Sequence, residues 1–471
     1  MEKAYKLLIN GRLVDGAATM PVINPATGEP FVDAPRADIG QLNEAVAAAK
    51  SAFPEWSKRP ITERRELLIA LSNALEERVP EFAALLTREQ GKPLAQATME
   101  CMGCVFVIRG MASFDLSPKV LREDESMRAI EYRSPLGVVA AITPWNFPLI
   151  LLINKVAPAL LAGNTLVIKP APTTPLTTLL LGEIFASLFP RGVINVIADQ
   201  NDLGAALTHH PDIAKIAFTG STATGRKVMS AAAGTIKRVT LELGGNDAAL
   251  VLEDADLQET ARKVFDGAML NAGQICIAIK RVYVHESMYD AFCDELARLA
   301  NDLVVGDGSE LATQLGPIQN KAQYEKLQQL LDDARENGTV IAGGNVLSRP
   351  GYFIAPTIVR DVDDDALIVR EEQFGPILPV LKYTDINGAI ERINNSEYGL
   401  GGTVWGRDVS KAASIAERVN SGTVWVNKHM DIAADLPFRG AKQSGLGAEL
   451  GLAGLEEYTQ ARVINVALTG C

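Results

Sequence analysis

Four short stretches of this chain combine a reactive side chain with a local reason to present it. Cys276 ends Asn271-Ala-Gly-Gln-Ile-Cys276, where Gly273 permits an unusual backbone turn beside the sulfur. A thiolate there would attack an electrophilic carbon. The other reading is a small packing side chain, because unpaired cysteine behaves mostly as a buried hydrophobe. Glu242 closes the apolar run Val239 to Leu241 and precedes Gly244-Gly245. A carboxylate in such a place is costly unless paired or used, and burial raises its pKa toward that of a general base. A helix or loop cap is the alternative. Asn146 is held in Pro144-Trp-Asn-Phe-Pro148, where its amide can donate to a developing oxyanion, although a structural turn has the same residues. Phe218-Thr-Gly220-Ser221-Thr-Ala-Thr-Gly225 follows a strand pattern and opens a helical one. Main-chain amides at a helix start favour anions, and glycines let a phosphate approach closely.

Presenting these groups requires alternating strands and helices. Short apolar runs at Val138 to Ile142, Thr165 to Ile168, Val193 to Ile197, Ile213 to Phe218 and Val239 to Leu241 are separated by helical segments. Fully apolar strands of this kind predict a parallel sheet covered on both faces, with its ligand at the carboxyl ends of the strands. A second alternating block starts near Asn246, with strands such as Arg281 to Val284 and Ile377 to Tyr383 and a helix over Leu257 to Ala272. Residues 40 to 115 read as helices, one of them carrying the stripe Leu67, Leu71, Leu75 and Val79. Val120 to Tyr132 reads as a projecting hairpin, and the tail from Tyr458 to Leu468 as a strand. The expected fold is therefore α/β: two Rossmann-like parallel-sheet domains plus a β-hairpin arm. The first domain spans 1–118 and 136–245, the second 246–430, and the arm 119–135 with 456–471.

Bulk composition narrows the function classes. Asp and Glu outnumber Lys and Arg by 57 to 45, which argues against nucleic acid or an anionic membrane as a partner. The N-terminal stretch cannot supply a signal-peptide core. The apolar region from Leu136 to Ile168 is broken by prolines, asparagines and a lysine, so no membrane span is expected. Five scattered cysteines do not make a disulfide scaffold, and a cytoplasmic location follows as the expectation. Cys101 and Cys104 form a CxxC, read as helix packing; no metal site is expected.

The ordered set of motifs carries more than any one of them. Pro144-Trp-Asn-Phe-Pro148, Lys169-Pro170, Phe218-Thr-Gly220-Ser221, Glu242-Leu-Gly-Gly245, Gly273-Gln-Ile-Cys276, Glu372-Gln-Phe374-Gly-Pro376 and Lys442-Gln-Ser444-Gly445 follow one another in this order. Over roughly residues 5 to 468 the chain resembles the aldehyde dehydrogenase superfamily. The resemblance implies NAD(P)-dependent oxidation of an aldehyde to a carboxylic acid. Cys276 would be the nucleophile, Glu242 the base that activates the hydrolytic water, and the Asn146 amide with the Cys276 main-chain amide the oxyanion site. Lys155 and Glu449 match a proton relay to the base, a buried structural salt bridge being the alternative. A CoA-acylating relative, in which thioester transfer replaces hydrolysis, and a catalytically silent relative are the competing readings.

The same resemblance assigns cofactor contacts to Trp145, Lys169, Gly220, Ser221, Gly225, Leu243, Glu372 and Phe374. Many NAD-preferring members carry a glutamate where this chain has Pro172, in Lys169-Pro170-Ala171-Pro172. The expectation is NAD as cofactor with NADP tolerated. The substrate tunnel maps to Phe147, Leu151, Asn154, Ile275, Ile277, Ile432 and Phe438. Its apolar character points to aliphatic or aromatic aldehydes. An ω-carboxylated semialdehyde is the alternative, kept open by Lys428 and His429. The hairpin arm and tail match the superfamily's oligomerisation element, so a homodimer or homotetramer is expected.

Overall fold

The computed structural model describes residues 4–469; residues 1–3 and 470–471, the ends of the expected first domain and tail, lie outside it. An eight-stranded sheet has the order Arg12–Val14, Leu7–Ile9, Ile194–Val196, Thr165–Lys169, Val138–Ile142, Ile213–Thr219, Arg238–Glu242, Gly445–Leu446. Its five inner strands are parallel, and antiparallel strands cover both edges. The strands at its centre are buried along their whole length, which is why they read as unbroken apolar runs.

A seven-stranded sheet has the order Thr339–Ala342, Thr357–Arg360, Ile377–Tyr383, Ile279–His285, Asp247–Val251, Gly401–Trp405, Thr423–Val426. All its pairings are parallel except that of Thr339–Ala342 with Thr357–Arg360. Each sheet has its own apolar core, and the chain passes from the first to the second across Leu243 to Asn246.

The hairpin and the tail form a third, antiparallel sheet. Met127–Pro135 lies between Lys119–Glu123 and Thr459–Ala467, pairing with the tail from Met127 opposite Ala467 to Pro135 opposite Thr459. Both outer strands are exposed, including Val120, Leu121, Val463, Ile464 and Val466.

Two sequence expectations shift at the boundaries. The stripe from Leu67 to Val79 belongs to two helices, Ile61–Glu77 and Val79–Gln90, because Pro80 lacks the N–H that an unbroken helix would need and fits a first turn instead. The helix expected to reach Ala272 ends at Met269 and gives way to a tight turn, Leu270–Gly273. The hairpin Ala18–Asn24 with Glu29–Arg36 was not legible: three prolines interrupt its strands, as a two-stranded ribbon allows.

Candidate active site

The turn after the central strand Val138–Ile142 is fastened by a buried ion pair. Lys92 Nζ lies 2.6 Å from Glu100 Oε2 and donates to the Asn146 carbonyl oxygen at 3.0 Å. The Lys92 ammonium also stands 3.6 Å from the centre of the Phe147 ring. Glu100 Oε1 accepts from the main-chain amides of Leu149 and Ile150, two of the otherwise unpaired donors at the start of the helix Ile150–Ala162. One side of the Asn146 main chain is thus fixed, while its side-chain Nδ2 donates to the Gln274 carbonyl at 2.9 Å. An amide NH2 carries a second donor. Lys92→Met would strand a buried carboxylate and is expected to lower unfolding stability by about 3 kcal/mol, read by urea denaturation.

The segment before Cys276 bends through three consecutive left-handed residues, Asn271 (φ 50°), Ala272 (φ 54°) and Gly273 (φ 70°). Such dihedrals cost about 1–2 kcal/mol for a residue with a Cβ, so tertiary contacts must hold them. Asn271 N donates to Gln96 Oε1 at 3.0 Å, and Gln274 Nε2 donates to the Asn271 carbonyl at 2.9 Å. Gln319 N in turn donates to Gln274 Oε1 at 2.9 Å. A Cβ on Gly273 would run into the Gly375 carbonyl, so glycine is required for the close approach as well as for its φ. The bend leaves Cys276 partly exposed, whereas Cys101, Cys104 and Cys293 are buried. Burial pushes the Cys276 thiol up to about 12; Lys280 opposes that rise, and Glu242, Glu372 and Asp247 add to it.

Glu242 ends its strand paired in register with Thr219. It is buried, and its Oε1 has no hydrogen-bond partner. Burial raises its pKa well above the usual carboxylate range; the charge of Glu449 adds to the shift and that of Lys155 opposes it. Lys155 Nζ lies 2.6 Å from Glu449 Oε1 and donates to Thr219 Oγ1 at 2.6 Å. The expected relay pair therefore exists as a buried salt bridge beside the unpartnered carboxylate.

Two cavities meet here. The larger, about 390 Å³, is lined by all seven residues expected in the substrate tunnel and also by Asn146, Glu242, Cys276 and Glu449. Its far wall comes from the helix Leu94–Ala112, through Met99, Gly103, Phe106 and Val107, which the sequence reading missed. Spaced at helical intervals, these look the same in sequence as a core-facing stripe. The smaller cavity, about 220 Å³, opens at the carboxyl ends of the strands Val138–Ile142, Ile213–Thr219 and Arg238–Glu242. It is lined by Trp145, Gly220, Ser221, Leu243, Glu372 and Phe374 of the expected cofactor residues. Asn146, Leu151, Thr219 and Cys276 line both cavities.

Ser221 caps the helix Thr222–Ala233, and Trp145 meets Phe374 edge to face at 5.3 Å between ring centres. Two expected cofactor residues stand outside this lining. Lys169 is buried against Asp199 at 2.6 Å, and Gly225 packs so closely on Leu243 that a Cβ would collide with it.

The family model for aldehyde dehydrogenases matches residues 13–464. This chain belongs to the aldehyde dehydrogenase family. It is 39% identical to phenylacetaldehyde dehydrogenase of Pseudomonas fluorescens, over 98% of this chain and 96% of that one. It is 38% identical to the mitochondrial aldehyde dehydrogenase of Leishmania tarentolae, over 98% and 95% of the two chains. The NAD+ complex of aldehyde dehydrogenase from Bacillus cereus superposes with a TM-score of 0.97 at 38% identity, covering 99% of this chain and 97% of that one. Membership makes the chain an oxidoreductase acting on aldehydes and matches the observed α/β architecture. The described residues include no helix long and apolar enough to cross a membrane.

Around the two cavities, sequence reasoning passed over Lys92, Glu100, Asp199 and Lys280. The signal for Lys280 was present, a lysine inside the apolar run from Ile275 to Val284, as was that for Lys92 between Gly91 and Pro93.

Proposed function

We propose that this enzyme oxidises apolar aliphatic or aromatic aldehydes to carboxylic acids with NAD, through a thioester on Cys276. The observation that carries the reading is the shared wall: Cys276 and Asn146 border both the apolar cavity and the cavity at the strand ends. An aldehyde in the first is thereby within reach of the sulfur and of a hydride acceptor in the second. The Cys276 thiol gives its proton to water and the sulfur adds to the carbonyl carbon, the carbonyl π pair moving onto oxygen. The oxyanion is held by the free donor of the Asn146 amide and by the Cys276 main-chain amide. When bound, the nicotinamide cofactor accepts the hydride. Glu242 then takes a proton from water as it attacks the thioester, the C–S bond breaks to release the acid and return the sulfur as thiolate, and the Lys155–Glu449 pair passes the proton on.

The residues present suit a dinucleotide. Main-chain amides at the start of the helix Thr222–Ala233, the Gly220-Ser221 turn and the rings of Trp145 and Phe374 surround the smaller cavity, with Glu372 at its edge. Gly244 also lines it, and a Cβ there would crowd the Glu372 carboxylate at 2.6 Å. Lys169, Gly225 and Leu243 complete the expected set. Pro172 offers no repulsion to a 2′-phosphate, and the Asp199 carboxylate is neutralised by Lys169 at 2.6 Å, so NAD is the cofactor with NADP tolerated.

The substrate preference rests on the larger cavity. Among the described residues no lysine or arginine lines it, and the lysines next to it, Lys92 and Lys155, are paired with Glu100 and Glu449, so an ω-carboxylated aldehyde finds no free counter-charge. Lys428 is paired with Asp431, and His429 is bonded to the Ile277 carbonyl with its pKa lowered by burial to about 4. A relative named for phenylacetaldehyde agrees with this preference. We assign the antiparallel arm to homodimer or homotetramer assembly and place the enzyme in the cytoplasm.

A single assay tests the assignment. NADH formation is measured for phenylacetaldehyde, hexanal and succinic semialdehyde, then repeated with NADP. The two apolar aldehydes are expected to exceed the semialdehyde in kcat/KM by about tenfold or more, and NADP to be used alongside NAD. Equal or better use of succinic semialdehyde would reverse the substrate reading, and exclusion of NADP the reading of Pro172.

A further inference from the structure

The nucleophile's own segment holds a lysine that the reaction above does not use. Lys280 stands four residues after Cys276 in the strand Ile279–His285 and is 2% exposed. Its ammonium donates to the Cys276 carbonyl oxygen at 2.6 Å and to that of Ile275 at 2.8 Å. The Glu372 carboxylate lies 3.6 Å away, and the Lys280 carbonyl accepts from Gln373 Nε2 at 3.2 Å. The lysine therefore ties the nucleophile segment to the loop that lines the smaller cavity.

Burying an ammonium costs several kcal/mol, and an apolar side chain would fill a strand position more cheaply. The surroundings of Cys276 supply a use for the charge. Glu242 faces it from the strand Arg238–Glu242, Asp247 from the strand Asp247–Val251 and Glu372 from the loop before Phe374, the first two buried and Glu372 half-buried. Each carboxylate opposes ionisation of the sulfur, as does burial itself, and Lys280 is the cation that acts against them.

We propose that Lys280 is a positioning residue for the nucleophile: its ammonium pins the Cys276 main chain and supplies the positive charge that stabilises a thiolate there. The inference rests on Cys276 being the nucleophile. Fixing the Cys276 carbonyl also fixes the peptide planes on which the sulfur and the oxyanion site are built. A lysine does this as a compact point charge with rotatable donors, so it can serve two carbonyl oxygens at once.

The test is the pH dependence of iodoacetamide alkylation at Cys276, followed by peptide mass mapping in the whole protein. Lys280→Met and Lys280→Gln are expected to move the midpoint of the alkylation profile upward by about one pH unit, equivalent to about tenfold slower labelling below it. Lys280→Arg keeps the charge and is expected to restore most of the shift. A lysine with a purely structural role would change folding or yield but leave the midpoint in place, so an unshifted midpoint in a neutral variant overturns the proposal. Lys280→Gln retains polar contacts and decides the matter if Lys280→Met does not fold. Alkylation of the unsubstituted enzyme is followed by a turnover assay. If turnover survives full labelling, the nucleophile assignment fails, and the midpoint still reports on Lys280 separately.

Discussion

Cys276→Ala is expected to lower aldehyde oxidation by about 10⁴-fold or more while leaving NAD binding within about twofold of the unsubstituted enzyme. In the proposed mechanism, without the sulfur no covalent adduct forms, and the hydride has no tetrahedral carbon to leave from. No other cysteine among the described residues can stand in, because Cys101, Cys104 and Cys293 are buried away from both cavities. The substitution is also structurally mild. The sulfur makes no hydrogen bond that holds the loop, whose shape depends on Asn271, Gln274, Gln319 and the Lys280 contacts with main-chain carbonyls. Aldehyde-dependent NADH formation and cofactor titration by fluorescence check both halves. Turnover that survives the substitution would assign the nucleophile elsewhere.

Glu242→Gln separates the two half-reactions. Glutamine has nearly the same shape, and Glu242 Oε1 has no hydrogen-bond partner to lose, so the first hydride transfer is expected to proceed. Hydrolysis of the thioester then lacks its base, and steady-state turnover is expected to fall by about 10²–10⁴-fold. Rapid mixing would show a burst of NADH close to one equivalent per site, followed by a slow phase. The pH dependence has a definite sign. In the proposed mechanism the ionised carboxylate is the base, and its pKa is raised chiefly by burial and further by Glu449, against the opposing charge of Lys155. Turnover of the unsubstituted enzyme should therefore climb with pH through a range above that of ordinary carboxylates, and Glu242→Gln should lose that limb. A variant with no burst and an unchanged limb would place the base at another residue.

The fold was legible wherever local pattern and tertiary environment agree. Val138–Ile142 and Ile377–Tyr383 could be read residue for residue, because strands buried on both faces are apolar along nearly their whole length, Lys382 near the end of the second being the exposed exception. The loop before Cys276 was not. Asn271 and Ala272 carry no local preference for left-handed dihedrals strong enough to overrule helix continuation. Their conformation comes from Gln96, Gln319 and the Gly375 main chain, each more than forty residues away in sequence. The site followed the same division. Cys276, Glu242 and Asn146, which line the larger cavity, stood out by residue type beside glycine or proline. The buried cations Lys92 and Lys280 were visible only as a lysine between glycine and proline and a lysine in an apolar run, because the main-chain carbonyl oxygens they serve leave no mark in sequence.

The antiparallel arm has a consequence for how this protein can change. Its middle strand, Met127–Pro135, runs almost directly into Val138–Ile142 and so into Asn146. Its tail strand, Thr459–Ala467, leaves the helix Gly451–Glu456, which begins two residues after Glu449. Zipping these strands together sets the spacing between a donor on one stretch of chain and a carboxylate more than three hundred residues away. The pairing of the arm and the geometry of the site are thus coupled along the chain. A lineage that shifts the register of these strands must retune the active site at the same time, whereas the exposed Met99 and Phe106 of the lining helix Leu94–Ala112 can change without disturbing Gln96 and Glu100, which hold the site from that helix.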